Sequence, residues 1–302
     1  MPDSLAACEL THLARAPIDS SVARSQHAAY EDALARLGCE IRRVPAAPEH
    51  PDSVFIEDTA VVLDEIAIVC RPGAESRRGE TGPVAETLAA YRQLRWLSEP
   101  ASLDGGDVLR LGRTLYVGAG GRTNEAGVSQ LAATLRRFDY TVRTVRIHGC
   151  LHLKSAVTEI APGLVLINPA WADGRMFAGH ETIEVDPGEP HAANVLRIGD
   201  TVLCGAANER TAERLRRAGL DVHPVDVSEL AKAEAGLTCC SLIVEEAARW
   251  SPGDKRPPAR KEVEEAARWP RGDKRPPARK EVEEAARWPP GDKRPPARKE
   301  EA

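Results

Sequence analysis

Six side chains capable of chemistry recur at one kind of place in this chain. Glu57 and Asp58, Asp104, His152, Asn194 and Cys239 each stand just before a stretch that reads as a β-strand. A thiol and an imidazole allow nucleophilic catalysis, and a carboxylate such as Asp104 would orient the ring. The remaining acids, Glu57 and Asp58, do not suit an amide substrate, because acyl transfer needs hydrogen-bond donors for an oxyanion. Paired acids suit a cation with several N–H donors, and a guanidinium is planar and forked in the matching way. Arg77 and Arg122 follow their hairpins in loops, where they could hold a substrate carboxylate. Singly, each residue has a plainer reading. An acid before a glycine is commonly a turn residue, and a histidine beside leucines a satisfied core residue. A cysteine at a strand start is commonly an inert buried hydrophobe, and loop arginines are commonly solvated. The recurrence at one place in a repeating unit is what argues for a shared site.

The unit is strand, strand, helix, strand. Residues 1–20 are unpatterned, and 21–38 have helical spacing with Gly38 as the stop. Cys39–Val44 reads as a short strand closed by Pro45 and Pro48. Strands are then expected at 59–63 and 66–70, a helix at 83–94 with proline in its first turn, and a short strand beyond Arg95. The second round has strands at 108–111 and 114–117, a helix capped by Asn124, and a strand at 140–147. The third has strands at 156–160 and 164–167 and a less regular part over 170–186. The fourth has strands at 195–198 and 201–204, a helix at about 208–218 and a strand at 222–225. The fifth begins at Cys239 with one apolar strand, and residues 21–44 supply the helix and strand that would complete it. Hairpins thus begin at separations of roughly 40–50 residues, the period of a repeat architecture. A terminal unit built from both chain ends closes a ring, as propellers do; a doubly wound sheet would alternate strands and helices singly.

Composition sets limits. A chain of 302 residues with 42% hydrophobic content can bury a sizeable core. The net charge of −5 provides no basic field, so nucleic acid is not an expected partner. No signal peptide or membrane span is legible. Seven cysteines, an odd number without metal-type spacing, point to free thiols in a reducing cytoplasm. His148 and His152 are four apart outside any helical pattern, so no zinc pair, metal or cofactor is expected.

From Val244 a 19-residue segment appears three times, starting at Val244, Val263 and Val282. Ten of the 23 prolines lie there and apolar content is low, so 244–302 reads as a disordered tail outside the 1–243 catalytic domain.

Six stretches carry a resemblance: Pro51 to Asp58 (PDSVFIED), Arg71 to Arg78 (RPGAESRR), Leu103 to Val108 (LDGGDV), Gly121 to Asn124 (GRTN), Leu151 to Ser155 (LHLKS) and Leu237 to Ser241 (LTCCS). In this order, over about residues 4–243, they make the chain similar to the dimethylarginine dimethylaminohydrolases, guanidine-modifying enzymes with a five-bladed α/β propeller. The resemblance implies that Cys239 is the nucleophile, His152 the acid/base and Asp104 its partner. Glu57 and Asp58 would bind the guanidinium, Asp52 the α-amino group, and Arg77 and Arg122 the α-carboxylate. Leu10 matches a lid residue, and Ala233 offers a main-chain carbonyl where a larger aliphatic residue is usual. The implied reaction is hydrolysis of asymmetric dimethyl- or monomethylarginine to citrulline and a methylamine, by a monomer or homodimer. An arginine deiminase-like hydrolase and a non-catalytic methylarginine-binding protein are the alternatives.

Overall fold

The computed structural model describes residues 1–245; the repeat tail, apart from Val244 and Glu245, lies outside the described residues. Helix α1 (Ser20–Arg36) opens the fold after a 3-10 turn at Asp3–Ala7. Asp19 caps it by accepting the Ser21 and Val22 amides, and Gly38 ends it with φ +91°. Its buried stripe is Ala23, Gln26, Tyr30 and Leu34.

Four three-stranded sheets follow, each an antiparallel hairpin with its second strand paired in parallel to a third. The first holds β1 (Ala60–Val62), β2 (Ile66–Val69) and β3 (Gln93–Trp96), with α2 (Thr81–Leu88) crossing between β2 and β3. The second holds β4 (Val108–Leu111), β5 (Thr114–Ala119) and β6 (Thr141–Arg146), with α3 (Glu125–Leu135) as its crossover. The one-turn helix α4 (Leu153–Ala156) leads into β7 (Val157–Ala161), β8 (Leu164–Ile167) and β9 (Glu181–Glu184). The fourth sheet is β10 (Leu196–Ile198), β11 (Thr201–Gly205) and β12 (Asp221–Val225), crossed by α5 (Glu209–Arg217). A short α6 (Ser228–Ala231) closes the series. The middle strands are the apolar runs of the sequence. All of Ile66–Val69 is buried, because a central strand covered on both faces has no solvent side to alternate with. The result is a pseudo-symmetric, propeller-like α/β fold.

Three expectations are corrected. The helix expected over 83–94 stops at Leu88, because Gln93–Trp96 is drawn into parallel pairing with β2. The third unit has no crossover α-helix; a 3-10 turn at Gly174–Phe177 inserts the fully buried Phe177 against Tyr116, with ring centroids 4.9 Å apart. The fifth unit forms no sheet among the described residues. Cys39–Val44 and Leu242–Val244 have no strand pairing and border an open cleft of about 960 Å³. The first segment exposes Glu40, Arg42 and Arg43, and its half-buried Cys39, Ile41 and Val44 make too thin an apolar face to fix a strand. Helix α1 holds the fifth unit instead. Tyr30 and Leu34 share a core cluster with Leu237, Cys239 and Cys240, and Tyr30 Oη lies 2.7 Å from Ser241 Oγ.

Candidate active site

The residues singled out before each hairpin sit on short turns that lead into the first strands. Glu57 and Asp58 lie in a 3-10 turn (Ile56–Thr59) before β1. Asp104 precedes the 3-10 turn Gly105–Asp107 before β4, and His152 precedes α4 and β7. Cys239 lies in a 3-10 turn, Thr238–Cys240, not in a strand. All five are nearly inaccessible, from 0% for Asp104 to 8% for Cys239.

These turns meet. His152 Nε2 lies 3.0 Å from Asp104 Oδ2, and Nδ1 lies 3.7 Å from Asp58 Oδ1. Asp104 Oδ1 accepts the Gly73 amide at 2.7 Å, and Asp58 Oδ1 accepts the Gly106 amide at 3.0 Å. The close approach requires glycine: a Cβ on residue 106 would lie 2.6 Å from Asp58 Oδ1 and 2.8 Å from His152 Nδ1. On the thiol side, Thr238 Oγ1 donates to Glu57 Oε2 at 2.7 Å and accepts from Asn194 Nδ2 at 3.0 Å. Asn194 Oδ1 in turn accepts the Thr238 amide. Cys239 Sγ accepts the Gly236 amide at 3.3 Å.

Charge is unevenly shared. Burial opposes a charged imidazole at His152, but Asp58, the hydrogen bond to Asp104, and Asp107 outweigh it and raise the ring to about 9. Burial likewise opposes the Asp58 carboxylate, yet His152 and Arg77 bring it down to about 2. Burial raises Glu57, against the pull of Lys154. The Cys239 thiol is raised well above its usual range, first by burial and then by the Glu57 and Asp58 charges. In this arrangement it is a thiol, not a thiolate.

The arginines separate. Arg77 is 4% exposed, and its guanidinium is spent within the fold. It donates to Asp58 Oδ2 at 2.6 Å, to Glu80 at 2.9 Å, and to the carbonyls of Asp52 and Phe55. It thus stands under the acids as their counter-ion. Arg122, half-buried, reaches Thr11 Oγ1 at 3.1 Å. Asp52 is buried and accepts the Glu9 amide, Leu10 is half-buried, and Ala233 is buried four residues before Leu237. Asp58, Asp104 and His152 each have a ligand-type atom within 4.8 Å of the others, and these three side chains are engaged with one another, Asp58 also with Arg77.

Several residues that build the site had no assigned role in the sequence reading. Lys154 Nζ reaches Glu57 Oε1 at 2.5 Å. Thr238 holds Glu57 from the other side. Asp107 is fully buried, pushed up to about 7 by that burial; it accepts Thr123 Oγ1 at 2.6 Å and the Leu153 amide at 3.1 Å, which ties the Asp104 turn to the start of α4. Glu80, three residues after Arg77, was legible as an i,i+3 pair of opposite charge. Lys154 and Thr238 gave no such signal, because their partner is nearly a hundred residues or more away.

Comparison with known proteins fits this geometry. The chain is 41% identical over 239 residues to the N(G),N(G)-dimethylarginine dimethylaminohydrolase of Streptomyces coelicolor, covering 78% of this chain and 92% of that one. The enzyme of the same name from Pseudomonas aeruginosa is 34% identical over 226 residues, 74% of this chain and 89% of its own. A solved structure of the Pseudomonas aeruginosa protein, a cysteine-to-serine variant complexed with citrulline, matches with a TM-score of 0.76 at 33% identity, covering 79% of this chain and 94% of that chain. No family model matches. A propeller-like α/β frame with a thiol, an imidazole and convergent carboxylates at its centre belongs to the guanidine-modifying class. Within that class, the chain belongs to the dimethylarginine dimethylaminohydrolase family.

Proposed function

We infer that the protein hydrolyses asymmetric dimethylarginine, and monomethylarginine, to citrulline with release of dimethylamine or methylamine. The observation that carries this reading is the pair of carboxylates around one imidazole, Asp58 at 3.7 Å from Nδ1 and Asp104 at 3.0 Å from Nε2, with a buried Cys239 thiol whose pKa is raised by that burial and by the Glu57 and Asp58 charges. Asp104 holds the ring by Nε2, leaving Nδ1 to face the Asp58 carboxylate. A guanidinium bound to Asp58 would lie within reach of that nitrogen. The negative surroundings keep His152 protonated, ready to donate to a departing amine.

Cys239 gives its proton to water when the substrate cation offsets Glu57 and Asp58. The thiolate then attacks the guanidinium carbon, forming the S–C bond while the C–N π electrons move to nitrogen. His152 gives its proton to the dimethylamino nitrogen and the C–N bond breaks. The neutral imidazole takes a proton from water and hydroxide adds to the same carbon; the S–C bond then breaks, the hydroxyl proton passing to the departing sulfur, which releases citrulline and restores the Cys239 thiol and the His152 imidazolium. Glu57 lies at the floor, bound to Lys154 and Thr238, and contributes field more than contact. Asp52 and the Ala233 carbonyl would receive the α-ammonium, Arg122 the α-carboxylate, and Leu10 would cover the entrance. Arg77 acts through Asp58, and reaches a substrate carboxylate only by leaving Glu80.

No helix among the described residues is long and apolar enough to cross a membrane. All seven cysteines are free, which supports a cytoplasmic setting, where the protein would act as a monomer or homodimer. The test is citrulline formation from dimethylarginine, monomethylarginine and arginine by the purified protein. Turnover of both methylated substrates well above arginine is expected; arginine as the preferred substrate would transfer the protein to the deiminase reading, and tight binding without turnover to the binding-protein reading.

A further inference from the structure

Glu234 lies immediately after Ala233 on the loop that leads to Cys239, in a conformation that glutamate rarely adopts. Its φ is +59°, three residues beyond the last residue of α6, in the left-handed region that glycine and asparagine favour. The side chain shows what the strained backbone achieves. Oε1 accepts three consecutive backbone amides, from Thr11 at 2.9 Å and from His12 and Leu13 at 2.5 Å each. Successive N–H groups converging on one anion form a nest, a strong and directional grip.

The gripped segment has little else to hold it. Residues 11–13 are exposed, form a bend without regular structure, and lie 221 to 223 positions from Glu234 in the chain. The other tethers of the segment are the Glu9 amide on Asp52 at 3.1 Å, Glu9 Oε1 on Ser76 Oγ at 2.7 Å, and Thr11 Oγ1 on Arg122 at 3.1 Å. The strap formed by residues 9–13 therefore runs from the Asp52 and Arg122 side of the site to the Cys239 side, and Glu234 is its fastening at the nucleophile end. The fastening is also releasable. Glu234 Oε2 is buried without a hydrogen-bond partner, so opening would return a stranded oxygen to water as it gives up three bonds.

We propose that Glu234 is a positioning residue that latches the 9–13 strap across the mouth of the site, so that its release governs substrate entry and product exit. The proposal rests on the reading of this mouth as the substrate entrance, and it extends that reading to a residue without contact to the reacting atoms. Because charge-assisted bonds to three amides are lost together, Glu234→Ala and Glu234→Gly should each speed amide hydrogen exchange at Thr11–Leu13 by at least about tenfold. Glu234→Gln, which keeps an acceptor oxygen, should fall between them and the wild type. In Glu234→Gly the backbone strain is relieved, so its Tm should hold or rise even as the strap loosens. For dimethylarginine, KM should rise in Glu234→Ala and Glu234→Gly while the single-turnover rate at saturating substrate stays at the wild-type value.

Glu234→Gly separates a latch from a merely structural residue. If strap exchange and KM in that variant match the wild type, the side chain holds nothing and the proposal is overturned. A fall in the saturating single-turnover rate with strap exchange unchanged would overturn it as well. Hydrogen exchange needs no turnover, so a loosened strap in a protein that makes no citrulline would refute the assigned reaction and leave the latch standing.

Discussion

His152 Nε2 and Asp104 Oδ2 lie 3.0 Å apart in a fully buried setting, and this contact orients the imidazole toward Asp58. Asp104→Asn keeps the shape and removes the charge. The imidazolium then loses part of the field that holds it at about 9, so the alkaline limb of the kcat/KM profile should move to lower pH. An accompanying fall of about 10²–10⁴-fold is expected for a disabled acid/base. The same group affects stability. Its folded pKa lies above the ordinary value of 6.5, so its contribution is fully present below that value and is lost as pH rises through about 9. Unfolding by urea should show a midpoint that falls across this window in the wild type and is flat in His152→Gln.

Cys239 is a buried thiol beside two carboxylates, with its pKa well above the usual range. Alkylation of the free enzyme should therefore rise only at high pH. An unreactive guanidinium ligand that fills the site should shift the alkylation profile to lower pH at every concentration that protects incompletely. Equal and low apparent pKa values with and without the ligand would contradict substrate-linked ionisation.

Gly106 is where the backbone of one unit touches the carboxylate and ring of two others. Gly106→Ala should displace the His152 ring or Asp58 and lower kcat/KM by at least about 10²-fold. Gly112 provides the control. Its φ of +58° makes alanine costly, but nothing lies within 4 Å of the added carbon, so Gly112→Ala should cost about 1 kcal/mol of stability and leave kcat unchanged.

Lys154 and Glu57 form a nearly buried ion pair at the floor of the site, with side chains 18% and 8% exposed. Lys154→Met leaves the Glu57 carboxylate held by Thr238 alone at the border of the cleft and should cost about 1–3 kcal/mol in denaturant unfolding. Glu57→Gln added to Lys154→Met should recover much of that loss, because the uncompensated charge is gone. A double-mutant cycle with no coupling would show that the pair does not act as a unit.

The repeat, its period and the positions of most strands were legible because each unit's middle strand is an unbroken apolar run such as Ile66–Val69 or Leu164–Ile167. The convergence of Asp58, Asp104 and His152 followed from that repeat, since equivalent turns in a pseudo-symmetric frame face one axis. The fifth unit misled because Cys39–Val44 has β-type residues without a face to bury, and helix α1 took the packing role. Arg77 read as a loop cation because a sequence does not reveal burial. Its fate was decided by Asp58 and Glu80, which together neutralise it. Lys154, Thr238 and Glu234 were invisible for a common reason: each gains its meaning from a partner on another unit.

In the proposed reaction the Cys239 sulfur bonds to the guanidinium carbon held at Asp58 and His152. Rapid acid quench of the enzyme during turnover of dimethylarginine, followed by intact-mass and peptide mapping, measures this directly. An adduct on Cys239 with the mass of the substrate less dimethylamine is expected, absent in Cys239→Ser, which should still bind the substrate. Citrulline formation at the wild-type rate by Cys239→Ser, or an adduct mapped to another residue such as Cys240, would contradict it.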